Sequence, residues 1–260
     1  MSREVSFLIA LDFEGRTAEQ VLEGIRQAGY DSVEWTMEYL DTMIGDSPAM
    51  ACQMDLVTGG EQAVTETFRA IDAAAAQGVP IVNVVTGPNL WEGAEPRSDE
   101  AAWSAALGGL ERVADYAGTA GVEIGFEPCV GTLAFDAETA RRVLDAVPVT
   151  ITFDPSHFVM TGDPIPDLIR EWGERIVHFH LKDAFGRTGV EGEDFMFCLL
   201  GEGNVPWPET LAALDEIGYE GALSVEFEAF RYYEQVLGSD PFRTAALCRE
   251  QVAALLGEGS

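Results

Sequence analysis

Two rhythms of apolar and polar residues alternate along this chain. Short runs rich in Val, Ile and Phe, bounded by Gly, Pro or Asp, occupy residues 5–13 (VSFLIALDF), 32–37, 50–55, 81–87, 122–128, 149–155, 176–183 and 222–230. They predict eight strands, most of them apolar on both faces. Between them, apolar residues return every three or four positions over 17–28, 60–77, 98–120, 136–146, 164–172, 206–217 and 240–256, which predicts amphipathic helices. Thr17 and Ser98 stand where N-caps belong, Pro206 and Pro208 open their helix, and Gly29, Gly78, Gly121 and Gly218 fall at helix ends. The phrases QAGYDSVEW, AQGVPIVNV, TAGVEIGFE and EIGYEGALSVE repeat one order of helix, glycine, link and strand.

Such βα alternation permits a closed (β/α)8 TIM barrel or an open doubly wound sheet. No G-x-G-x-x-G follows the first strand, and Gly59-Gly60 is too little for a phosphate loop, so the barrel is expected. Residues 38–49 are few and contain Gly45 and Pro48, which predicts a shortened second βα unit. With no linker, repeat or low-complexity tract, residues 1–260 read as one barrel domain.

Composition narrows the function. Hydrophobic residues at 47% and charged ones at 23% fit a soluble folded protein. Fifteen Lys plus Arg against 45 Asp plus Glu leave a net charge of -30, a field that repels nucleic acid and anionic membrane alike. The four cysteines lie far apart and form no zinc or disulfide pattern. No apolar run approaches a membrane span and the N-terminus lacks a signal-peptide pattern, so a cytoplasmic protein is expected.

In a barrel the chemistry gathers at the C-terminal ends of the strands. Strand five there ends in Glu127, strand six in Asp154, strand seven carries His178, His180, Lys182 and Asp183, and strand eight carries Glu226 and Glu228. The chain has 3 histidines, and all of them, His157, His178 and His180, fall in this stretch. Glu127, Asp154, His180 and Glu226 offer three oxygens and one imidazole, a donor set for one divalent ion, Mn first, with Mg, Co or Zn as alternatives. Glu127 and Glu226 come from non-neighbouring strands, so one can abstract a proton from a bound sugar and the other return it. His178 reads equally as a core histidine. Lys182, the chain's one lysine, and Glu34 are candidates for substrate binding, and Lys182 alternatively pairs with Asp183 or Glu226. Phe13, Trp35, Trp91, Phe158 and Phe185 are candidates for an apolar wall against a sugar ring.

The motifs GFEP, TFDPSH, HFHLKD, LGEGNVPW and SVEFE, in this order and spacing, resemble the xylose-isomerase-like barrel superfamily, especially its sugar (phosphate) isomerase and epimerase branch. The resemblance implies that Glu127, Asp154, His180 and Glu226 bind one divalent metal, that the two glutamates double as the acid/base pair, and that His157 and Arg187 touch substrate hydroxyls. It implies an isomerase or epimerase of a keto-sugar or related polyol, with an enediolate between two proton transfers, and homo-oligomers, dimers or tetramers. The aromatic segment FRYYEQVL (230–237) is the expected interface. Two departures stand out. Residues 184–200 are longer than in simple ketose 3-epimerases, and the Lys-Asp ending of HFHLKD looks more like the inosose dehydratase and keto-glycoside-processing branches. The alternative is therefore a lyase that uses the same metal site to expel a β-substituent. A phosphorylated substrate is disfavoured because no basic cluster or glycine-rich anion cradle lies near the strand ends.

Overall fold

The computed structural model describes residues 3–13 and 15–258; the remaining positions of the expected 1–260 barrel lie outside the described residues. The chain runs β1 (Val5–Leu8), α1 (Ala18–Gln27), β2 (Ser32–Thr36), β3 (Met50–Ala51), α2 (Gly60–Gln77), β4 (Ile81–Val84), α3 (Glu100–Ala120), β5 (Glu123–Phe126), α4 (Ala137–Ala146), β6 (Thr150–Phe153), α5 (Pro155–Thr161) and α6 (Ile165–Trp172). It continues through β7 (Ile176–Leu181), β8 (Asp183–Gly186), β9 (Phe195–Cys198), α7 (Trp207–Glu216), β10 (Leu223–Val225), α8 (Phe230–Tyr232) and α9 (Pro241–Leu256). Strands β1 to β7 and β10 close into a parallel barrel, and β8 pairs with β9 in a separate antiparallel hairpin. The fold is thus the expected (β/α)8 TIM barrel.

Local chemistry explains the helix boundaries. Thr17 and Gln20 form a reciprocal capping box at α1, and Gly78 and Gly121 close α2 and α3 in the left-handed conformation. One cap departs from expectation: α3 is capped by Asp99 rather than Ser98, its carboxylate accepting from the N–H groups of Ala101 and Ala102 at 3.0 Å. A carboxylate also complements the positive end of the helix. After β2 the chain makes only a 3-10 turn, Met37–Tyr39, so the second unit is short as predicted.

Strand β5 can lie tight against β6 because residue 125 is glycine: a Cβ there would collide with Thr152 Oγ1. That close approach brings the ends of β5 and β6 together at the barrel mouth.

Asp183 organises the segment after the hairpin. Its carboxylate accepts hydrogen bonds from the N–H groups of Ala184, Gly201, Gly203 and Val205 and from the Trp207 indole, at 2.9 to 3.2 Å. It is therefore engaged with backbone and does not pair with Lys182. Among the described residues no helix is long and apolar enough to cross a membrane.

Candidate active site

The candidate residues are held by the sheet itself. Glu127 follows β5 directly and donates its N–H to Val84 O at 2.8 Å, while Glu226 follows β10 and donates to Leu181 O at 3.3 Å. Both carboxylates thus start from backbone still in the barrel ladder. Asp154 caps α5, its Oδ1 accepting from Ser156 N–H at 2.8 Å, which leaves Oδ2 directed inward. The two-residue period of β7 points His178, His180 and, just past the strand's end, Lys182 to the barrel interior, where all three are buried.

One ligand-capable atom from each of Glu127, Asp154, His180 and Glu226 falls within 4.8 Å of the others. His180 Nδ1 lies 3.0 Å from Glu226 Oε2 and 3.5 Å from Glu127 Oε1. Three of the inward atoms, Glu127 Oε1, Asp154 Oδ2 and His180 Nδ1, are buried and make no well-formed hydrogen bond among the described residues, although Asp154 Oδ2 lies 2.8 Å from Lys182 Nζ. Buried polar atoms left in this way are costly, and three of them converging on one space are what a bound cation would satisfy. The local charge agrees. Glu34, Glu127, Asp154 and Glu226 are buried around one ammonium and the histidines, an excess of negative charge that a divalent ion would offset. Oxygen donors with a single imidazole suit Mn, Mg, Co or Zn.

Lys182 sits inside this cluster. Its Nζ is 2.8 Å from Asp154 Oδ2, 2.9 Å from both Glu226 Oε2 and Glu228 Oε2, and 3.4 Å from His157 Nε2. Burial works against its charge, but Asp154, Glu226 and Glu228 outweigh that and raise its pKa well above the ordinary lysine value. Burial likewise opposes ionisation of Glu226, yet Lys182 and His180 lower its pKa overall. Glu228 moves the other way: burial raises its pKa, Lys182 resists, and the neighbouring Glu226 adds to the rise. His157 loses basicity through burial and the adjacent Lys182. Its Nδ1 accepts from Val130 N–H at 3.4 Å, and its Nε2 faces Lys182, Asp154 and Glu127.

Glu127 and Glu226 are not equivalent. Glu127 Oε2 accepts from Asn83 at 2.7 Å and Gln53 at 3.4 Å, while Oε1 accepts nothing. Glu226 is instead locked beside Lys182. Sequence reasoning missed Gln53 and Asn83; a polar Asn within the apolar run IVNVV was the available signal.

A pocket of about 720 Å³ opens above the cluster, lined among others by Glu127, His157, Lys182 and Glu226. Two expected substrate contacts are not brought to it. Glu34 lies below the cluster, fully buried, with Oε2 at 2.8 Å from His178 Nε2 and Oε1 at 3.3 Å from His180 Nε2, so it orients both rings and faces no substrate. Arg187 is on the outer side of the hairpin, its side chain 81% exposed and 3.6 Å from Asp194. The extra residues of 184–200 form the hairpin that carries it outward. Of the expected aromatic wall, Phe13, Trp35 and Phe158 are core, and Trp91 lines the pocket. Phe230, expected at an interface, also lines the pocket, and Tyr233 is buried. Cys129 lines it too, and burial and the carboxylates push its thiol well above the usual range.

The sequence matches the model of the xylose isomerase-like TIM barrel family over residues 51–248. The chain belongs to this family. Among its sequence relatives, an inosose dehydratase of Geobacillus thermodenitrificans is 27% identical over 177 residues, 63% of this chain and 58% of the relative. The match thus spans less than two thirds of that relative's length. Two solved structures share the fold: the IolI protein with a zinc atom, at TM-score 0.77 and 21% identity over 98% of both chains, and an L-ribulose 3-epimerase, at TM-score 0.74 and 17% identity over 99% and 95%. The sequence relative is thus named a dehydratase and one of the fold neighbours an epimerase.

Proposed function

We propose that this protein is a divalent-metal-dependent carbon–oxygen lyase acting on a ketone of the cyclitol or glycoside type. The observation that carries the reading is the inequality of the two glutamates: one carboxylate is held by the neutral amides of Asn83 and Gln53, and the other lies against a buried ammonium. β-Elimination needs a proton donor for the leaving oxygen besides the base, and the ammonium beside Glu226 is placed to be that donor. The dehydratase named among the sequence relatives agrees with this reading.

Glu127 takes the proton from the carbon beside the ketone. The C–H electron pair becomes a C=C bond as the C–O bond at the next carbon breaks, its pair staying on oxygen. Lys182 protonates that oxygen, so the group leaves as water or an alcohol, and solvent restores both side chains. His157, which lines the pocket, holds a substrate hydroxyl. Glu127, Asp154, His180 and Glu226 would hold the ion, whose contribution when bound is to polarise the ketone oxygen and so acidify the adjacent carbon. The fold neighbour with a zinc atom and the donor set here agree with such an ion.

The second reading, an isomerase or epimerase, is favoured by the presence of both Glu127 and Glu226 in one cluster. Turnover of a keto-inositol and a keto-glucoside in heavy water with Mn2+ separates the two. The lyase gives an unsaturated ketone that absorbs in the ultraviolet, and the isomerase or epimerase leaves deuterium in a ketone that has lost neither water nor alcohol. If both substrates stay intact and unlabelled, both readings fail for these ketones.

Glu34 acts on the ion through His180. Glu34→Gln weakens Mn2+ binding by about 10- to 100-fold, read by titration calorimetry, with the far-ultraviolet circular dichroism unchanged. An unchanged affinity would reduce Glu34 to a filler beneath the site.

A further inference from the structure

The charged cluster fills only the floor of the pocket; its upper wall is apolar and comes from three separate segments. Leu90 and Trp91 lie in the turn after β4, Phe195 and Phe197 on β9 of the hairpin, and Phe230 at the start of α8. Leu90, Trp91 and Phe230 are 39%, 48% and 41% exposed, so they are not core residues that happen to touch a cavity. Large apolar side chains left open around one pocket mark a binding surface.

These rings are held in place. Leu90 donates its N–H to Gly131 O at 3.1 Å. Trp91 packs on Gly131 so closely that a Cβ built there would stand 3.1 Å from the indole Cε3. Phe195 and Phe197 meet edge to face with centroids 5.5 Å apart. Phe197 also carries Lys182 Nζ 4.9 Å from its ring centroid, so it marks the boundary between the charged floor and the apolar wall. The lining contains the acids Glu127, Glu191, Glu226 and Glu228, and Lys182 as its one cation among the described residues. That ammonium is already surrounded by three carboxylates. An anionic substituent finds no partner here. The pocket volume of about 720 Å³ exceeds what a bare sugar ring fills and falls in the range of drug-sized ligands.

We infer that the upper wall is a subsite for a flat, uncharged, apolar group carried by the substrate itself, an aryl substituent attached to the sugar. This inference rests on the reading of the floor as a sugar site, and it narrows the substrate to aryl glycosides rather than free cyclitols or sugar phosphates. Stacking on Trp91 and against Phe230 supplies the recognition, while the floor holds the sugar hydroxyls.

Binding of phenyl β-D-glucoside, methyl β-D-glucoside and glucose 6-phosphate to the Mn2+-loaded protein, followed by tryptophan fluorescence and equilibrium dialysis, tests the subsite apart from catalysis, since none of the three presents a ring ketone. Phenyl glucoside is expected to bind at least about tenfold more tightly than methyl glucoside, which is ~1.4 kcal/mol, and glucose 6-phosphate most weakly. Trp91→Ala and Phe230→Ala remove the phenyl advantage and leave methyl glucoside unchanged; Trp91→Phe restores part of it. Equal binding of the two glucosides overturns the inference. So does loss of self-association in the Trp91→Ala and Phe230→Ala proteins without any phenyl advantage, which would make the wall a contact between copies. An aryl preference with no elimination from keto-glucosides leaves the subsite standing and sinks the lyase; elimination without aryl preference does the reverse.

Discussion

Glu127→Gln lowers elimination from a keto-glycoside or keto-inositol by about 10²- to 10⁴-fold, the range for losing a positioned general base. Gln keeps the volume of the side chain and can still accept from Asn83 and Gln53, the two groups that hold Oε2, so the fold is expected to persist. The loss belongs to kcat more than to KM, because the proton is taken only in the transition state. Steady-state kinetics measured with saturating Mn2+ separate this from simple weakening of the ion. A variant that regains full turnover once the ion is saturating would show Glu127 to be a ligand and no base.

Asp183→Asn is the substitution expected to cost most stability. Oδ2 accepts from Gly201, Gly203 and Trp207, and Oδ1 from Ala184 and Val205. Whichever way the new amide turns, its NH2 faces at least two donors, which leaves buried N–H groups unpaired. The cost is about 3 to 5 kcal/mol, which lowers the melting temperature on the order of 10 °C for a chain of this size. Thermal unfolding followed by circular dichroism measures it. A shift of only a degree or two would mean that the 199–207 segment does not need its anchor.

The barrel was legible because βα alternation is written in periodicity, and periodicity is a property of single segments. Glu127, Asp154, His180 and Glu226 were legible for a related reason: residues at strand ends of a barrel converge whatever the loops do. What the sequence hid depends on where chains return in space. Glu34 carries no mark of lying under His178 and His180, since that contact joins β2 to β7 across the barrel. Arg187 follows the HFHLKD motif closely, yet the hairpin of β8 and β9 turns it outward. The Phe residues at 195 and 197 sit in a stretch with no strong strand or helix rhythm, so their place in the pocket followed only from the pairing of β9 with β8. Helix α5 went unseen because it is a single short segment, Pro155–Thr161, buried along most of its length and thus without an amphipathic stripe.

The sole lysine has a practical consequence. Because Lys182 is the one ε-amine in the sequence and is 3% exposed, protein grown on isotope-labelled lysine carries a single magnetic-resonance reporter at the floor of the pocket. Arrival of a paramagnetic or diamagnetic ion, or of a sugar, would be seen in one signal with no assignment step.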